Sequence, residues 1–416
     1  MKLLGTVLSL VCVAAAARAQ ESPAFPSFED FTRRYRQAPA AERADVLRAL
    51  VADRRAHGGF PIVEPGDAGV VFVYAGSGDE KTVEVIGDFR TRSYNSVFWS
   101  NQGVPLERLV AGAPVFFARM AIEPDARLDY QFAVDGKYRP DPLNERAIVS
   151  GAAPSPGGDG EKASVLMMPR YPLAPATVPR ADVAHGQMIV VDEAWAMPKV
   201  NIYLPAGYDP GRRYPVVYTA DGRQWREFIN LPPILDNLIA DGSIEPLIAV
   251  MIDSAADRFD WYQLNSAYAA YLDKVVAFVD AHYPTRARPE DRLHIGSSAG
   301  GRATLSIALD RPALFARFAM FSPALAAPPH YYEPLLTGKR RLGAGARIFL
   351  SAGSYEGFIL DDAHLFEKVL RRAGARVRTT FTHEGHSFGA TRNLVPEMLI
   401  WMFPARLTGR GSAPSR

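Results

Sequence analysis

The stretch Gly296-Ser297-Ser298-Ala299-Gly300 decides the fold of this chain. A strand-like run leads into it over residues 291–295, and a helix-like run leads out of it over residues 301–309. A serine on such a strand-to-helix turn exposes its hydroxyl above the edge of a sheet, and the glycines leave room where the chain folds back. The helix that follows directs its N-terminus at the site, which favours a developing negative charge. The stretch predicts a turn that presents Ser298 as a nucleophile; the plain alternative is a Gly/Ser turn before an ordinary helix.

Strand-like and helix-like runs alternate on both sides of this turn, from His185 to about residue 405. Such alternation is typical of an α/β domain with a mostly parallel sheet that helices cover on both faces. We therefore expect an α/β domain over residues 185–405. The predicted strands lie at residues 188–191, 200–203, 214–218, 247–252, 291–295, 316–321, 346–350 and 377–381, and the main helices at 268–282, 363–373 and 393–403.

A serine nucleophile needs an imidazole to take its proton and a carboxylate to hold that imidazole. Glu356 and His386 each follow a predicted strand of this domain, in the order that such sheets use. Because ligands bind at the carboxyl ends of parallel strands, we expect Ser298, Glu356 and His386 to converge there. Three alternatives stay open from the residues alone, namely Asp361 and Asp362 for the acid and His383 for the base.

The stretch Gly385-His386-Ser387-Phe388-Gly389 repeats the glycine–serine–glycine spacing. Ser387 is an unsuitable nucleophile, since no histidine follows His386 in the sequence. For the oxyanion we predict two backbone N–H donors, from Ala299 beside the nucleophile and from Arg223 in the loop after the strand at 214–218. No His-Glu-x-x-His motif occurs, and we predict neither a metal nor a cofactor.

The chain before this domain has a different pattern. Residues 20–60 have helical spacing and predict a helical segment, either a pro-segment or a cap. Residues 61–170 contain short alternating runs between turns, including the hairpin signal Asp135-Gly136, which is typical of a β-sandwich. A proline-rich linker follows over residues 171–184, and a polar, flexible tail over residues 406–416.

Residues 1–19 have the pattern of a secretory signal peptide, with Lys2, an apolar stretch and Ala17-Arg18-Ala19 before the cleavage point. We expect cleavage after Ala19 and a periplasmic or secreted protein. The single cysteine, Cys12, would leave with this segment, so disulfides and a cysteine nucleophile are not expected. Without Lys2 and Arg18 the chain has 45 basic and 45 acidic residues. This balance argues against nucleic-acid binding, and no apolar run is long enough for a membrane anchor.

Several motifs together resemble the putative-esterase family of α/β-hydrolases. They are Tyr203-Leu-Pro-Ala-Gly-Tyr208, Tyr214-Pro-Val-Val-Tyr218 with Asp221-Gly222, Asp257-Arg258 with Asn265, Gly296 to Gly301, and Gly385-His386 with Arg392. The family includes enterochelin (siderophore) esterases and feruloyl and acetyl-xylan esterases. The resemblance implies a serine triad, carried onto Ser298, Glu356 and His386. Trp225, Arg258 and Arg302 are predicted to contact the substrate.

Residues 83–89, 130–136 and 141–144 resemble the immunoglobulin-like early-set modules of glycogen-branching enzymes and of several esterases. Sugar-binding members place Asn-Gly-Trp after Gly-Asp-Phe, whereas this chain has Arg90-Thr91-Arg92. A packing or substrate-shaping role is therefore favoured for the module over carbohydrate binding.

The sequence thus predicts a secreted serine ester hydrolase for a small-molecule ester, resembling enterochelin esterases. Two alternatives remain: a feruloyl or acetyl-xylan type of carbohydrate esterase, and a non-catalytic carbohydrate-binding protein. The sequence gives no indication of the oligomeric state.

Overall fold

The computed structural model describes residues 22–67, 69–94, 99, 103–150, 161–263, 267–325 and 333–405. The predicted signal peptide and the predicted tail lie outside these residues. The chain divides into two compact units, Met1–Gly59 and Phe60–Arg416. In the first unit, α1 (Phe28–Gln37) buries three aromatic side chains spaced by three and four residues, and α2 (Arg43–Ala56) follows it. Ser27 caps α1 by accepting a hydrogen bond from the Asp30 N–H.

The second unit begins with two packed antiparallel sheets, which together form a β-sandwich. One sheet has the order β1-β2-β6-β5, and the other has the order β4-β3-β7-β10-β9, with β8 paired to β7. Inward-facing side chains of β2 and β7 meet in the core, as in the edge-to-face pair Phe72 and Tyr130. Asp135 and Gly136, both at positive φ, make the predicted hairpin turn between β7 and β8. The strands are β1 Ile62–Val63, β2 Val70–Ala75, β3 Val83–Gly87, β4 Val104–Pro105, β5 Glu107–Arg108, β6 Val115–Met120, β7 Arg127–Val134, β8 Lys137–Arg139, β9 Ala147–Ser150 and β10 Glu161–Met167.

An eight-stranded sheet with the order β11-β12-β14-β13-β15-β16-β17-β18 forms the rest of the unit. The pairings from β14 to β18 are parallel, while β12 pairs antiparallel with both β11 and β14. The sheet is therefore mixed at one edge and parallel through the part that carries the predicted site. The strands are β11 Gln187–Val190, β12 Val200–Leu204, β13 Val216–Thr219, β14 Ile248–Ile252, β15 Arg292–Ser297, β16 Arg317–Phe321, β17 Arg347–Gly353 and β18 Arg376–Thr382.

Apolar side chains of this sheet alternate between two hydrophobic clusters, one on each face. In β14, for example, Val250 packs into one cluster and Met251 into the other. Since strand side chains alternate between faces, both faces of the sheet are covered by apolar packing. The helices are α3 Gly222–Glu227, α4 Leu231–Ala240, α5 Arg258–Trp261, α6 Ala267–His282, α7 Ala299–Asp310, α8 Glu333–Leu336, α9 Phe358–Arg372 and α10 Phe388–Met402.

The segment predicted as a linker is fixed onto the α/β part by side-chain amides. Asn393 donates to the Pro172 carbonyl and accepts from the Ala174 N–H, and Asn237 donates to two further carbonyls of the segment. Within the described residues no helix is both long and apolar enough to cross a bilayer.

Candidate active site

Ser298 occupies a strained turn between β15 and α7. Its φ is 56° and its ψ −121°, a conformation that residues with a side chain rarely adopt. The turn is held because the Ser298 N–H donates to the Phe321 carbonyl at 2.9 Å. A Cβ on Gly296 would lie 2.0 Å from the Gly300 carbonyl oxygen, and a Cβ on Gly301 would lie 2.7 Å from Pro323. The glycines of the motif are therefore required by close approach.

The start of α3, which carries Arg223, packs directly against this turn. Asp221 stands before α3 at φ 60°, and a Cβ on Gly300 would lie 2.6 Å from its carboxylate. Arg258 holds that carboxylate by two hydrogen bonds of 2.6 and 2.7 Å. Ala299 and Arg223 are thus in the first turns of α7 and α3, where N–H groups have no intrahelical acceptor. This placement suits the predicted oxyanion donors, whose role stays a prediction.

Glu356 and His386 are joined by a hydrogen bond of 2.5 Å between Oε1 and Nδ1. Glu356 is fully buried, and its Oε2 accepts from the Ser322 hydroxyl at 2.7 Å and the Gly353 N–H at 2.5 Å. Three donors thus converge on one carboxylate, which fixes its orientation. Because Nδ1 donates to Glu356, Nε2 is the ring nitrogen left to accept a proton.

Ser298 and His386 line one pocket of about 720 Å³ at the carboxyl end of the parallel strands. Phe228 and Phe388 stack there with ring centroids 5.0 Å apart, and Phe259 is 58% exposed. The structure therefore brings the predicted nucleophile and base to one cavity with an aromatic wall, and Glu356 lies directly behind the base.

The predicted substrate contacts fare differently. Arg258 lines the pocket, but it is committed to Asp221. The structure corrects the prediction that Trp225 contacts the substrate. Trp225 is fully buried in the core against Phe321 and does not line the pocket, because α3 turns this residue towards the sheet. Arg302 also does not line the pocket; it lies on α7, after the turn that carries Ser298.

The alternative residues have other positions. Asp361 and Asp362 lie in the first turns of α9, and His383 binds Asp125 at 2.6 Å. Ser387 caps α10, accepting from the Gly389 N–H at 3.0 Å, and Arg127 donates to its hydroxyl at 2.9 Å.

His294 lies under the turn, with Tyr268 at Nε2 and Thr304 at Nδ1. Burial lowers the pKa of His294 to about 3, so it stays neutral.

The β-sandwich supplies a buried group of charges beside the His386 loop. Arg127 pairs with Asp129 at 2.9 Å, while Asp88 accepts from the Trp99 indole and the Asp129 N–H. Burial, then the nearby Asp129 carboxylate, raises the pKa of Asp88 to about 8. Burial also raises the pKa of Glu384 to about 7, although Arg127 opposes the shift.

Sequence reasoning missed Ser322, Asp221, Arg127 and the aromatic pair Phe228 and Phe388. The Asp221-Gly222 dipeptide and the glycines at 385 and 389 were the available signals, but their partners come from distant parts of the chain. Among the described residues, no group of three His, Cys, Asp or Glu side chains is arranged to hold a metal ion.

Comparison with known proteins gives a family match over the α/β part. Residues 196–390 match the family model described as Putative esterase. An endo-1,4-beta-xylanase/feruloyl esterase of Xylanibacter ruminicola is 31% identical over 176 residues, which are 37% of this chain and 24% of that protein. The uncharacterized protein YjcH of Bacillus subtilis is 29% identical over 129 residues, 29% of this chain and 54% of that protein. The chain thus spans about a quarter to a half of the length of these relatives.

Solved structures resemble a larger part of the chain. The ferric enterobactin esterase of Salmonella typhimurium has a TM-score of 0.69 and 19% identity, covering 82% of this chain and 95% of its own. The Shigella flexneri enterobactin esterase, solved in the presence of enterobactin, has a TM-score of 0.65 and 20% identity, covering 80% and 92%. At this identity the likeness establishes a shared fold.

Proposed function

Since residues 196–390 belong to the family described as Putative esterase, we propose that this protein is a carboxylic ester hydrolase that works through an acyl-enzyme on Ser298. The observation that carries the proposal is the pocket that Ser298 shares with His386. The Nδ1 atom of His386 is held by the buried Glu356. A nucleophile, a base and a group that orients the base are the parts that acyl transfer needs.

In the proposed reaction, Ser298 Oγ attacks the ester carbonyl while His386 Nε2 takes the hydroxyl proton. The N–H groups of Ala299 and Arg223 stabilise the oxyanion, and His386 returns the proton to the departing alcohol. Water then attacks the acyl-enzyme with His386 again as base, which releases the acid and regenerates Ser298. Glu356 stabilises the imidazolium in both halves.

The test is Ser298→Ala assayed on a p-nitrophenyl ester. Ser306→Ala is the matched control, since Ser306 lies on the same helix and its hydroxyl donates to the Arg302 carbonyl. We expect hydrolysis to fall to background in Ser298→Ala and to remain in Ser306→Ala. Full activity in folded Ser298→Ala would remove the proposal.

Two substrate classes are candidates. The fold likeness across four fifths of the chain favours a siderophore ester. The pocket favours a feruloyl type of ester: its wall is aromatic, and nearby arginines have acidic partners, with Arg226 on Asp253 and Arg258 on Asp221. Paired arginines offer little net positive charge to a multiply anionic ferric catecholate. A hydrolysis panel of enterobactin, feruloyl-sugar and simple acyl esters decides between them.

A binding role for the β-sandwich is tested separately. Retardation of the Ser298→Ala protein on a xylan or glycogen affinity gel, without ester hydrolysis by the wild-type protein, would favour the non-catalytic alternative.

Export is proposed from residues 1–19. Expression with the full N-terminus should give a periplasmic or secreted protein that begins at Gln20. Recovery of the intact Met1 form from the cytoplasm alone would contradict this.

A further inference from the structure

The loop that carries His386 lies between β18 and α10 and is held from two sides. Glu356 holds His386 itself, from the α/β part. The residues on either side of His386 are held by parts of the chain that precede the α/β domain: Tyr171, the first residue of the predicted linker, donates to the Glu384 carboxylate at 2.7 Å, and Arg127 of the β-sandwich donates to the Ser387 hydroxyl at 2.9 Å. The residue proposed as general base therefore lies between a contact with the linker segment and a contact with the β-sandwich.

Arg127 makes three contacts at once. Its backbone N–H donates to the His383 carbonyl at 3.1 Å, its Nη1 donates to Ser387, and its Nη2 lies 2.9 Å from Asp129. The first two contacts fix both ends of a five-residue loop, and the third fixes the guanidinium. Burial would lower the pKa of Arg127, but Asp129 and then Glu384 outweigh it and raise that pKa, so the side chain stays charged.

Side chains of the sandwich also closely approach Gly385 in the loop and Gly389 in the first turn of α10. A Cβ on Gly389 would lie 2.3 Å from the Arg127 guanidinium, and a Cβ on Gly385 would lie 2.1 Å from the Asp88 carboxyl. Both glycines have ordinary backbone angles, since neither is among the residues with positive φ. The side chains of the sandwich, rather than the backbone conformation, therefore exclude larger residues at these positions.

We infer that Arg127 is a positioning residue for His386, supplied by the β-sandwich through Ser387 and His383. This rests on the proposed function, in which His386 is the base. The planar fork of the guanidinium reaches Ser387 and Asp129 together, whereas an ammonium group is a single point charge on a flexible stem. Misplacement of a catalytic group by about 1 Å can slow a reaction by about 100-fold.

The experiment compares Arg127→Lys with Arg292→Lys. Both arginines are 5% exposed and pair with an aspartate, but Arg292 lies at the far end of β15 from Ser298 and pairs with Asp280. In Arg127→Lys we expect kcat for a p-nitrophenyl ester to fall by about 10-fold to 100-fold with KM within about twofold. The downfield proton resonance of the Nδ1–H bond between His386 and Glu356 should also shift. Arg292→Lys should change neither.

Ser387→Ala is the second variant, because it removes the acceptor of the Arg127 bond and leaves the buried ion pair intact. It also removes a helix cap, for which Ser27→Ala is the control, since Ser27 caps α1. A fall in kcat with Ser387→Ala, absent from Ser27→Ala, supports the inference. Wild-type kcat and an unmoved resonance in both folded Arg127→Lys and Ser387→Ala would overturn it. If folded Ser298→Ala kept full activity in the same assay, the proposed function itself would fail. If Ser298→Ala lost activity while Arg127→Lys and Ser387→Ala kept the wild-type kcat, only the positioning role would be rejected.

Discussion

Replacing Glu356 with glutamine should invert the tautomer of His386. Two of the three donors on this buried carboxylate, the Gly353 N–H and the Ser322 hydroxyl, meet at Oε2. The backbone donor cannot reorient, so the single oxygen of glutamine has to stay at that place. The new NH₂ group then faces His386 Nδ1, which can bind it only as an acceptor. The ring proton moves to Nε2, where a proton must be accepted from Ser298.

The size of the effect follows from this inversion. A base in the wrong tautomer lowers kcat by about 10⁴-fold in serine hydrolases, which corresponds to about 5 kcal/mol of lost transition-state stabilisation. The free energy of unfolding should change much less, because glutamine keeps the two hydrogen bonds at Oε2. Steady-state kinetics on a p-nitrophenyl ester and urea unfolding followed by circular dichroism measure the two quantities.

Glu397→Gln is the matched control. Glu397 lies on α10 and accepts from Arg378 and Thr380, away from the pocket. We expect its kcat to stay within about twofold of the wild-type value, as for a surface substitution. If folded Glu356→Gln kept kcat within about tenfold of wild type, the hydrogen bond to Glu356 would not determine the tautomer, and the reasoning would be refuted.

Three further predictions concern the surroundings of the site. Burial raises the pKa of Asp88 to about 8 and that of Glu384 to about 7, so between about pH 4 and 8 the folded protein holds protons that the unfolded chain has lost. The free energy of unfolding should therefore fall from pH 6 to pH 8, by about 2 kcal/mol from Asp88, in urea melts, and the fall should be smaller in Asp88→Asn. Gly389→Ala should lower it by about 2 kcal/mol and also lower kcat, because the new methyl group meets the Arg127 guanidinium. Asp361→Asn should leave kcat within about twofold, since Asp361 is a first-turn residue of α9.

Each of these has a contrary outcome. Stability that rises from pH 6 to pH 8 would reject the buried, protonated carboxyl groups. Gly389→Ala is compared with Gly211→Ala, whose methyl group would come no closer than 3.2 Å to its neighbours; equal stability of the two variants would reject the close contact. A large loss of kcat in Asp361→Asn would return that residue to the role proposed for Glu356.

The turn that carries Ser298, and the positions of Glu356 and His386 after it, could be predicted because each depends on nearby sequence. A turn at Gly296 needs small residues over five positions, and the predicted acid and base each follow an apolar strand run. The antiparallel pairings of β12 could not be predicted, since nothing in its apolar pattern records the direction of a neighbour.

The contacts of individual side chains, arginines above all, could not be predicted from the sequence. Arg258 was predicted to meet substrate, but it binds Asp221, 37 positions away. Trp225 was predicted beside the pocket, but the start of α3 turns its side chain into the core. Arg127 lies 260 positions before Ser387. The side chain that an arginine meets depends on tertiary packing, and a single sequence contains no local signal for it.

The contact of Tyr171 and Arg127 with the loop of His386 also bears on how the protein should lose activity on warming. Local opening of a protein begins where few contacts have to break, well before the global transition. His386 lies in the α/β part, but Arg127 of the β-sandwich and Tyr171 of the linker help to hold its loop. A small separation of these residues from the α/β part would therefore disable the base while the eight-stranded sheet stays intact. On warming, reversible inactivation should therefore occur at a lower temperature than the loss of the far-ultraviolet circular-dichroism signal. A cross-link between the β-sandwich and the α/β part should remove this temperature difference.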